Sequence, residues 1–224
     1  MLTGRETIYQ IFVRNYSKEG TFKAVENDLS RLKDLGVDII YLMPINEIGV
    51  KNRKGTYGSP YASKDYFSIS KDLGNVKDLK SLITSSHNFG MKIILDMVFN
   101  HTAPDSKLFL EHPEFYFRKK DGNVGNRVGD WSDIIDLDTS RNDTQDYLIS
   151  VLEYWKNMGF DGFRFDVASM IDFSLFEKAR KKLGDEVIFL SESIDDDFVK
   201  YVKQFGIILI AAWAKNVVSI ILPT

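Results

Sequence analysis

The sequence predicts an α/β fold in which helices cover a largely parallel sheet. One unit recurs five times along the 224 residues: an amphipathic helical stretch, a glycine and then a near-continuous apolar strand. Strands that are apolar on both faces are typical of parallel sheets covered by helices. Polar side chains also collect where several of these strands end. Such repeated βα units form either a doubly wound sheet or a (β/α)8 barrel.

The elements follow one another with little interruption. An apolar run at 8–13 predicts the first strand, and apolar residues then recur at helical spacing between 22 and 32. A glycine ends each helix, because glycine readily takes the left-handed conformation of a C-terminal cap. The closing glycines and the strands predicted after them are Gly36 with 37–43, Gly90 with 91–99, Gly159 with 160–167, Gly184 with 187–190, and Gly206 with 207–213.

The composition suits one large packed domain, or one domain with an insertion, and it excludes several classes of partner. Hydrophobic residues make up 44% of the chain and aromatic residues 13%, which is ample for a core. The formal net charge of −3 gives no basic surface for nucleic acid, and the lack of cysteine excludes disulfides and thiol chemistry. Residues 1–7 contain no apolar run, so we expect a cytoplasmic protein, or a secreted one if a signal peptide has been removed.

The stretch 160–169 combines an apolar strand with charged side chains. Arg164 and Asp166 alternate with phenylalanines, so both point to one face of the strand while the aromatic rings point to the other. An ion pair at the end of an apolar strand is costly unless something uses it, and a guanidinium that keeps a carboxylate ionised suits a nucleophile. The alternative is a structural salt bridge on the sheet.

Polar residues end three of the predicted strands. They are Asp96, Asn100 and His101 after one strand, Arg164 and Asp166 after another, and Ser191 and Glu192 after a third. In a parallel βα fold the carboxyl ends of all strands share one face, and the active site forms there. Carboxylates delivered to one rim by separate strands favour a functional site over three unrelated structural roles.

The βα pattern is interrupted between residues 102 and 143, where no clean helix is predicted. Residues 115–119, followed by Lys-Asp-Gly-Asn at 120–123, indicate a hairpin with Asp-Gly at its turn. A loop of this length in a compact domain is usually functional. We therefore expect a small inserted segment after the third strand, which forms one wall of a cleft over the rim.

Taken in order, the motifs resemble the α-amylase family of retaining glycoside hydrolases. The matching segments are Asp-Met-Val-Phe-Asn-His at 96–101, Gly-Phe-Arg-Phe-Asp-Val-Ala at 162–168, Phe-Leu-Ser-Glu at 189–192, Gly-Ser-Pro-Tyr at 58–61 and Asp-Leu-Asp at 136–138. The likeness extends over roughly residues 8–204.

The resemblance implies a particular architecture, an incomplete (β/α)8 TIM barrel of about five to six βα units that is truncated at its C-terminus. The barrel would take residues 1–101 and 144–206, with a small inserted B-type domain at 102–143 and an atypical apolar tail at 207–224.

The resemblance also implies roles for the rim residues in cleaving the α-glucosidic bonds of an α-glucan or a maltooligosaccharide. Asp166 would be the nucleophile, and Glu192 the general acid and then the general base, about 5 Å away. Arg164 would keep Asp166 ionised, whereas Glu192 has no cation next to it in the sequence, which favours its protonated form.

Three further residues would contact the substrate under the same resemblance. His101 would hydrogen-bond a sugar hydroxyl, Tyr61 would offer its ring face to a pyranose, and Asp96 would bind the sugar beside them. The alternatives are a structural hydrogen-bond network for His101 and ordinary packing for Tyr61.

A calcium site is a further implication, because Asn100 and Asp136 match the asparagine and aspartate that hold Ca²⁺ in many members of the family. Oxygen ligands suit calcium, but two side-chain oxygens fall short of the usual count of about six to eight ligands. In the alternative, Asn100 caps a loop and Asp136 begins a turn.

The chain departs from the family pattern in two places. Ser169 and Met170 stand where endo-acting members often carry Lys-His, so an enzyme for short oligosaccharides, a glucosyl transferase or an isomerase is equally open. No His-Asp pair follows Glu192, so a third catalytic carboxylate is not found and we expect weak or no activity. A non-catalytic carbohydrate-binding fragment is the alternative from a different class.

Residues 206–224 are nearly all apolar and match nothing in the family. They can be read as a sixth strand with a segment that covers the open barrel edge, as a frameshift product, or as a membrane segment, which Lys215 near its middle disfavours. We expect no membrane partner. An open parallel edge beside an apolar tail predicts self-association.

Overall fold

The computed structural model describes residues 5–129 and 131–193, together with the backbone of two strands at 208–212 and 218–221. The helix predicted before Gly206 lies outside the described residues. The described strands are, in chain order, β1 (Ile8–Ile11), β2 (Ile39–Leu42), β3 (Lys92–Met97), β4 (His101–Thr102), β5 (Ile135–Asp136), β6 (Gly162–Phe165), β7 (Ile188–Glu192), β8 (Ile208–Ala212) and β9 (Val218–Ile221).

Most of these strands form one sheet in the order β1-β2-β3-β6-β7-β8-β9. Each neighbouring pair is parallel up to β8, and β9 then pairs antiparallel with β8. The sequential order of the parallel strands confirms the predicted βα repeats. The sixth predicted strand is confirmed as β8, with β9 beside it. No helix in the described parts of the chain is long and apolar enough to span a membrane.

Helices separate most of the parallel strands. Within the described residues they are, in chain order, α1 (Val13–Tyr16), α2 (Phe22–Asn27), α3 (Leu29–Asp34), α4 (Val76–Asn88), α5 (Lys107–Glu111), α6 (Asn142–Met158) and α7 (Phe173–Leu183). The longest, α6, ends at Gly159 in the left-handed conformation with φ 117°, as the sequence predicted.

Two predicted elements differ from the structure. The first strand ends at Ile11, and Val13 already begins α1. The helix predicted between residues 22 and 35 is broken at Asp28, which ends α2 and precedes α3. The Asp28 carboxylate accepts hydrogen bonds from the Tyr16 hydroxyl and from Arg31 Nε at 2.9 Å, and these contacts hold the non-helical residue in place.

The two faces of the sheet bury separate cores. Side chains on one face, such as Leu95 and Phe163, join the large cluster packed against the helices. Alternating side chains on the other face form a smaller cluster of Ile39, Tyr41, Ile94, Ile188 and Leu190. Because side chains alternate along a strand, Asp96 and Glu192, two positions beyond Ile94 and Leu190, also lie on this second face, at the carboxyl end of the sheet.

A small antiparallel insertion lies between β3 and β6. Its strands β4 and β5 pair His101 with Asp136. The predicted hairpin turn is confirmed, because Gly122 N donates to Lys119 O at 2.9 Å and Arg118 bridges Val124. The expectation that the insertion lacks a clean helix is wrong for α5. This helix forms because the Ser106 side chain caps it, accepting from Phe109 N at 3.1 Å.

Candidate active site

The register of neighbouring strands places a carboxylate beside a guanidinium at the carboxyl end of the sheet. Asp96 on β3 stands directly opposite Arg164 on β6. Arg164 Nη1 lies 2.8 Å from Asp96 Oδ1 and 2.9 Å from Oδ2. Asp96 is only 1% exposed and Arg164 7%, so this ion pair is buried. The predicted meeting of polar strand ends at one rim is therefore observed for Asp96 and Arg164.

The guanidinium of Arg164 contacts two further carboxylates. Its Nη1 lies 2.9 Å from Asp166 Oδ1, and its Nη2 lies 2.8 Å from Glu192 Oε2. The expectation that Glu192 has no cation beside it is wrong, because pairing of β7 with β6 brings the end of one strand next to the other. Asp166 and Glu192 thus converge on one guanidinium from neighbouring strands.

Three carboxylates around one guanidinium leave an excess of negative charge. Burial raises the pKa of Asp166 to about 7, and the charges of Asp96 and Glu192 add to that rise. Arg164 lowers the same pKa, as expected, but burial and Asp96 outweigh it. Burial also raises the pKa of Asp96 against the opposing effect of Arg164. The guanidinium alone therefore does not keep Asp166 fully ionised at neutral pH.

The backbone after Asp166 takes an unusual conformation. Val167 has φ 39° and ψ 49°, in the left-handed region that β-branched residues rarely adopt. Its N–H donates to Glu192 Oε2 at 3.2 Å. This turn ends β6 sharply and ties it to the end of β7. Backbone strain of this kind persists where the surrounding contacts hold it, which is common at functional sites.

Two tyrosines complete the surroundings of Asp96. The hydroxyls of Tyr41 and Tyr61 both donate to Asp96 Oδ2, that of Tyr61 at 3.3 Å. Tyr61 therefore lies beside the rim residue Asp96, with its hydroxyl bound to that carboxylate. Tyr41 was not predicted from the sequence. The available signal is its place in an apolar strand, two residues after Ile39, on the interior face.

His101 is placed by β4 and is buried, with 4% of its surface exposed. Its Nδ1 accepts from Asn100 Nδ2 at 3.0 Å, and its ring packs edge-on against Trp131 at 5.7 Å between centroids. Burial lowers the pKa of His101 to about 4, against smaller opposing effects from the charge of Asp133 and a hydrogen bond with the Tyr61 backbone. The imidazole is therefore neutral at pH 7, beside the segment that carries Tyr61.

Ser191 was also named among the predicted rim residues, and the structure separates it from them. It is fully buried and, one residue before Glu192, its side chain is on the opposite face of β7. The rim cluster is thus Asp96, Arg164, Asp166 and Glu192, with His101 and Tyr61 beside it.

Comparison with known proteins identifies the family. The sequence profile of the family described as "Alpha amylase, catalytic domain" matches residues 10–131, which is more than half of the chain. The chain belongs to the α-amylase family. The predicted resemblance is confirmed, and the α/β fold corresponds to about half of an α-amylase (β/α)8 barrel with a small antiparallel insertion.

Individual relatives give the extent of the match. An α-amylase from Lactobacillus plantarum is 46% identical with a TM-score of 0.83, covering 90% of this chain and 48% of that chain. A noncanonic maltogenic α-amylase from Thermotoga neapolitana is 36% identical with a TM-score of 0.82, covering 91% and 51%. An alpha-1,4-glucan:maltose-1-phosphate maltosyltransferase from Methylacidiphilum infernorum is 32% identical over 182 residues, 70% of this chain and 27% of the relative.

The α-amylase resemblance implied calcium at Asn100 and Asp136, and the residues present do not fit that ion. Asp136 Oδ2 accepts from the backbone N–H of Arg127 at 2.7 Å and from its Nη1 at 3.3 Å. Asn100 Oδ1 is buried without a hydrogen-bond partner. One amide oxygen and one neutralised carboxylate fall far short of the ligand set and charge that calcium takes. Residues 5–129 and 131–193 contain no group of three or more His, Asp or Glu suited to a metal.

Proposed function

We propose that this rim cleaves α-glucosidic bonds with retention of configuration, in α-glucans or maltooligosaccharides. Asp166 is the nucleophile, and Glu192 is the general acid and then the general base. The observation that supports the proposal most directly is that both carboxylates contact the guanidinium of Arg164 from neighbouring strands. Retaining enzymes need two carboxyl groups within about 5–5.5 Å, so that one attacks the anomeric carbon directly.

The proposed mechanism needs opposite protonation states for the two acids. With Asp96, Asp166 and Glu192 all ionised, the cluster carries three negative charges against the one positive charge of Arg164. A general acid must carry the proton that the leaving oxygen takes up, and the proposal gives this role to Glu192. Asp166 keeps its contact with Arg164 Nη1, which opposes the rise in its pKa that burial and Asp96 cause.

Substrate contacts follow from the residues beside the cluster. His101 Nδ1 accepts from Asn100, so the hydrogen bond with the Tyr61 backbone uses Nε2, and a sugar hydroxyl that binds the neutral imidazole would share or replace that bond. Tyr61 presents its ring to a pyranose, while its hydroxyl stays on Asp96. Residues 102–143 form the inserted B-type domain in this proposal, and Trp131 on it forms a wall beside His101.

Transfer to a sugar acceptor is the second candidate. The specific observation in its favour is the 32% identity to a maltosyltransferase. Hydrolysis and transfer share the glycosyl-enzyme intermediate and differ in whether water or a hydroxyl of another sugar attacks it. Incubation of the chain with a maltooligosaccharide and a labelled acceptor distinguishes them, since transfer gives labelled longer products.

The proposed activity is tested by turnover of nitrophenyl α-glucoside and of maltooligosaccharides. We expect slow turnover, because the sequence has no His-Asp pair after Glu192, and at least a roughly 10³-fold loss in Asp166→Asn and Glu192→Gln. Asp146→Asn is the matched control, since this aspartate is exposed on α6. Turnover that survives Asp166→Asn contradicts the proposed nucleophile. Sugar binding without turnover in the unaltered chain favours a non-catalytic carbohydrate-binding role.

A further inference from the structure

The junction between the insertion and the sheet is built around one buried carboxylate. Asp136 is 1% exposed and pairs across the small sheet with His101. The residue after it, Leu137, donates its N–H to the carbonyl of Asn100 at 2.8 Å, and Asn100 follows β3 closely. A buried carboxylate at such a junction is costly unless a positive charge or several donors satisfy it.

Arg127 satisfies that carboxylate with both its backbone and its side chain. Its N–H and Nη1 donate to Asp136 Oδ2 at 2.7 and 3.3 Å, and Nη1 also donates to Leu137 O at 3.3 Å. The guanidinium stacks over the Phe117 ring at 4.5 Å. The side chain of Arg127 is 36% exposed, so it covers the carboxylate from the solvent side.

We propose that Arg127 supplies, within the chain itself, the positive charge that holds the insertion against the sheet, and that this junction takes no calcium. Arg127 occupies Asp136 Oδ2, so a metal ion that left the guanidinium in place would find only Oδ1 of this carboxylate. Beside that oxygen it would find the unpaired amide oxygen of Asn100, and displacing the guanidinium would add only the second oxygen of the same carboxylate. This ligand set is too small and too weakly charged for a cation that takes about six to eight oxygens.

The same contacts connect Arg127 to His101 through Asp136 and Asn100. Asn100 Nδ2 lies 3.5 Å from Asp136 Oδ1 and 3.0 Å from His101 Nδ1. Arg127 fixes Asp136, Asp136 orients the Asn100 amide, and the amide holds the imidazole. The pairing of His101 with Asp136 in the small sheet reinforces the same arrangement.

The first test measures calcium binding by the unaltered chain after a chelator has removed any bound metal. We expect no saturable binding of Ca²⁺ by calorimetry, and the same melting temperature in EDTA as in millimolar CaCl₂. Stoichiometric binding that raises the melting temperature, and that is lost in Asp136→Asn, overturns the proposal. These readouts do not depend on glycoside cleavage, so failure of the proposed function leaves them unaffected.

The second test is a double-mutant cycle on the junction. Arg127→Met is expected to lower the melting temperature by roughly 5 °C, because it leaves a buried carboxylate without its cation. Adding Asp136→Asn to that variant is expected to restore much of the loss, and Arg127→Lys is expected to lose less. Arg118→Met is the control, since Arg118 in the same insertion bonds only to carbonyls in the described contacts. Additive effects in the cycle contradict a charge pairing.

Discussion

At the scale of single residues, the rim is defined by how one guanidinium distributes its contacts. Arg164 touches Asp96, Asp166 and Glu192, and its position on β6 is fixed by the register with β3. Because an arginine remains protonated in proteins, it gives a constant positive charge that the three carboxylates share. Removing Asp96 or Glu192 therefore removes one cause of the raised pKa of Asp166, so substitutions within the cluster are expected to have non-additive effects.

Asp166 is expected to reduce stability at the pH where it acts. Its folded pKa of about 7 exceeds the unfolded value of about 3.9. The folded protein thus holds a proton that the unfolded chain has released, and stability falls as pH rises through about 7. The side chain introduced by Asp166→Asn cannot ionise. We therefore expect the free energy of unfolding of this variant to exceed that of the unaltered chain by roughly 2–4 kcal/mol above that pH, and the difference to shrink toward pH 4.

Urea unfolding across this pH range measures the effect, with Asp146→Asn as the control. The amide oxygen introduced by Asp166→Asn can still accept from Arg164 Nη1, so the substitution removes the charge rather than the contact. A variant that is less stable than the unaltered chain at every pH contradicts the raised pKa.

Sequence patterns predicted most of these residues but not their contacts. The alternation of charged and aromatic residues at 163–167 and the shared face of parallel strand ends predicted Arg164, Asp166 and Glu192 together. That Arg164 also reaches Glu192 depends on strand register, which no short-range pattern encodes. Arg127 and Trp131 lie in an irregular insertion, where spacing carries no information about which side chains meet.

At the scale of elements, the site depends on the close approach of β6 and β7. A Cβ at Gly162 would lie 2.2 Å from the Ile188 carbonyl oxygen and 2.5 Å from the Ile188 Cβ. These are backbone and near-backbone atoms of the neighbouring strand, so they cannot give way as a flexible side chain would. The lack of a side chain at Gly162 lets the two strands bring their carboxylates to one guanidinium.

Gly162→Ala is therefore expected to separate β6 from β7. We expect a loss of stability of roughly 1–3 kcal/mol, as for overpacked cores, together with a loss of turnover. Gly129→Ala is a matched control, because a Cβ there meets no atom within 4 Å. Thermal melts and the nitrophenyl assay measure both effects, and a Gly162→Ala variant that behaves like the control contradicts the steric account.

Helices and strands were predictable where periodicity and glycine act together. The helix that ends before Gly159 and the strand after it were both predicted, although the observed strand, Gly162–Phe165, is shorter than the predicted 160–167. The break at Asp28 was not, because it is held by contacts with Tyr16 and Arg31 rather than by local propensity. The short helix α5 was missed because it has only 5 residues, too few to show a helical period, and it begins at a single cap, Ser106.

At the scale of the whole molecule, the described sheet is open. β1 pairs with β2 alone, and β9 pairs with β8 alone among the described strands. Unpaired strand edges are templates for pairing with another chain. We therefore expect self-association, measured by light scattering coupled to size-exclusion chromatography. A monomer that persists at high protein concentration contradicts this expectation.

The central claim is that neighbouring strands deliver Asp166 and Glu192 to one sugar, with Asp166 forming the covalent bond. A fluorinated α-glucosyl fluoride tests this most directly, because its activated leaving group needs little acid assistance and its glycosyl-enzyme is hydrolysed slowly. Tryptic mass spectrometry is expected to find the sugar on peptide 165–178, bonded to Asp166, and to find none in Asp166→Asn. A label on Asp96 or Glu192, or a label that persists in Asp166→Asn, would contradict the account.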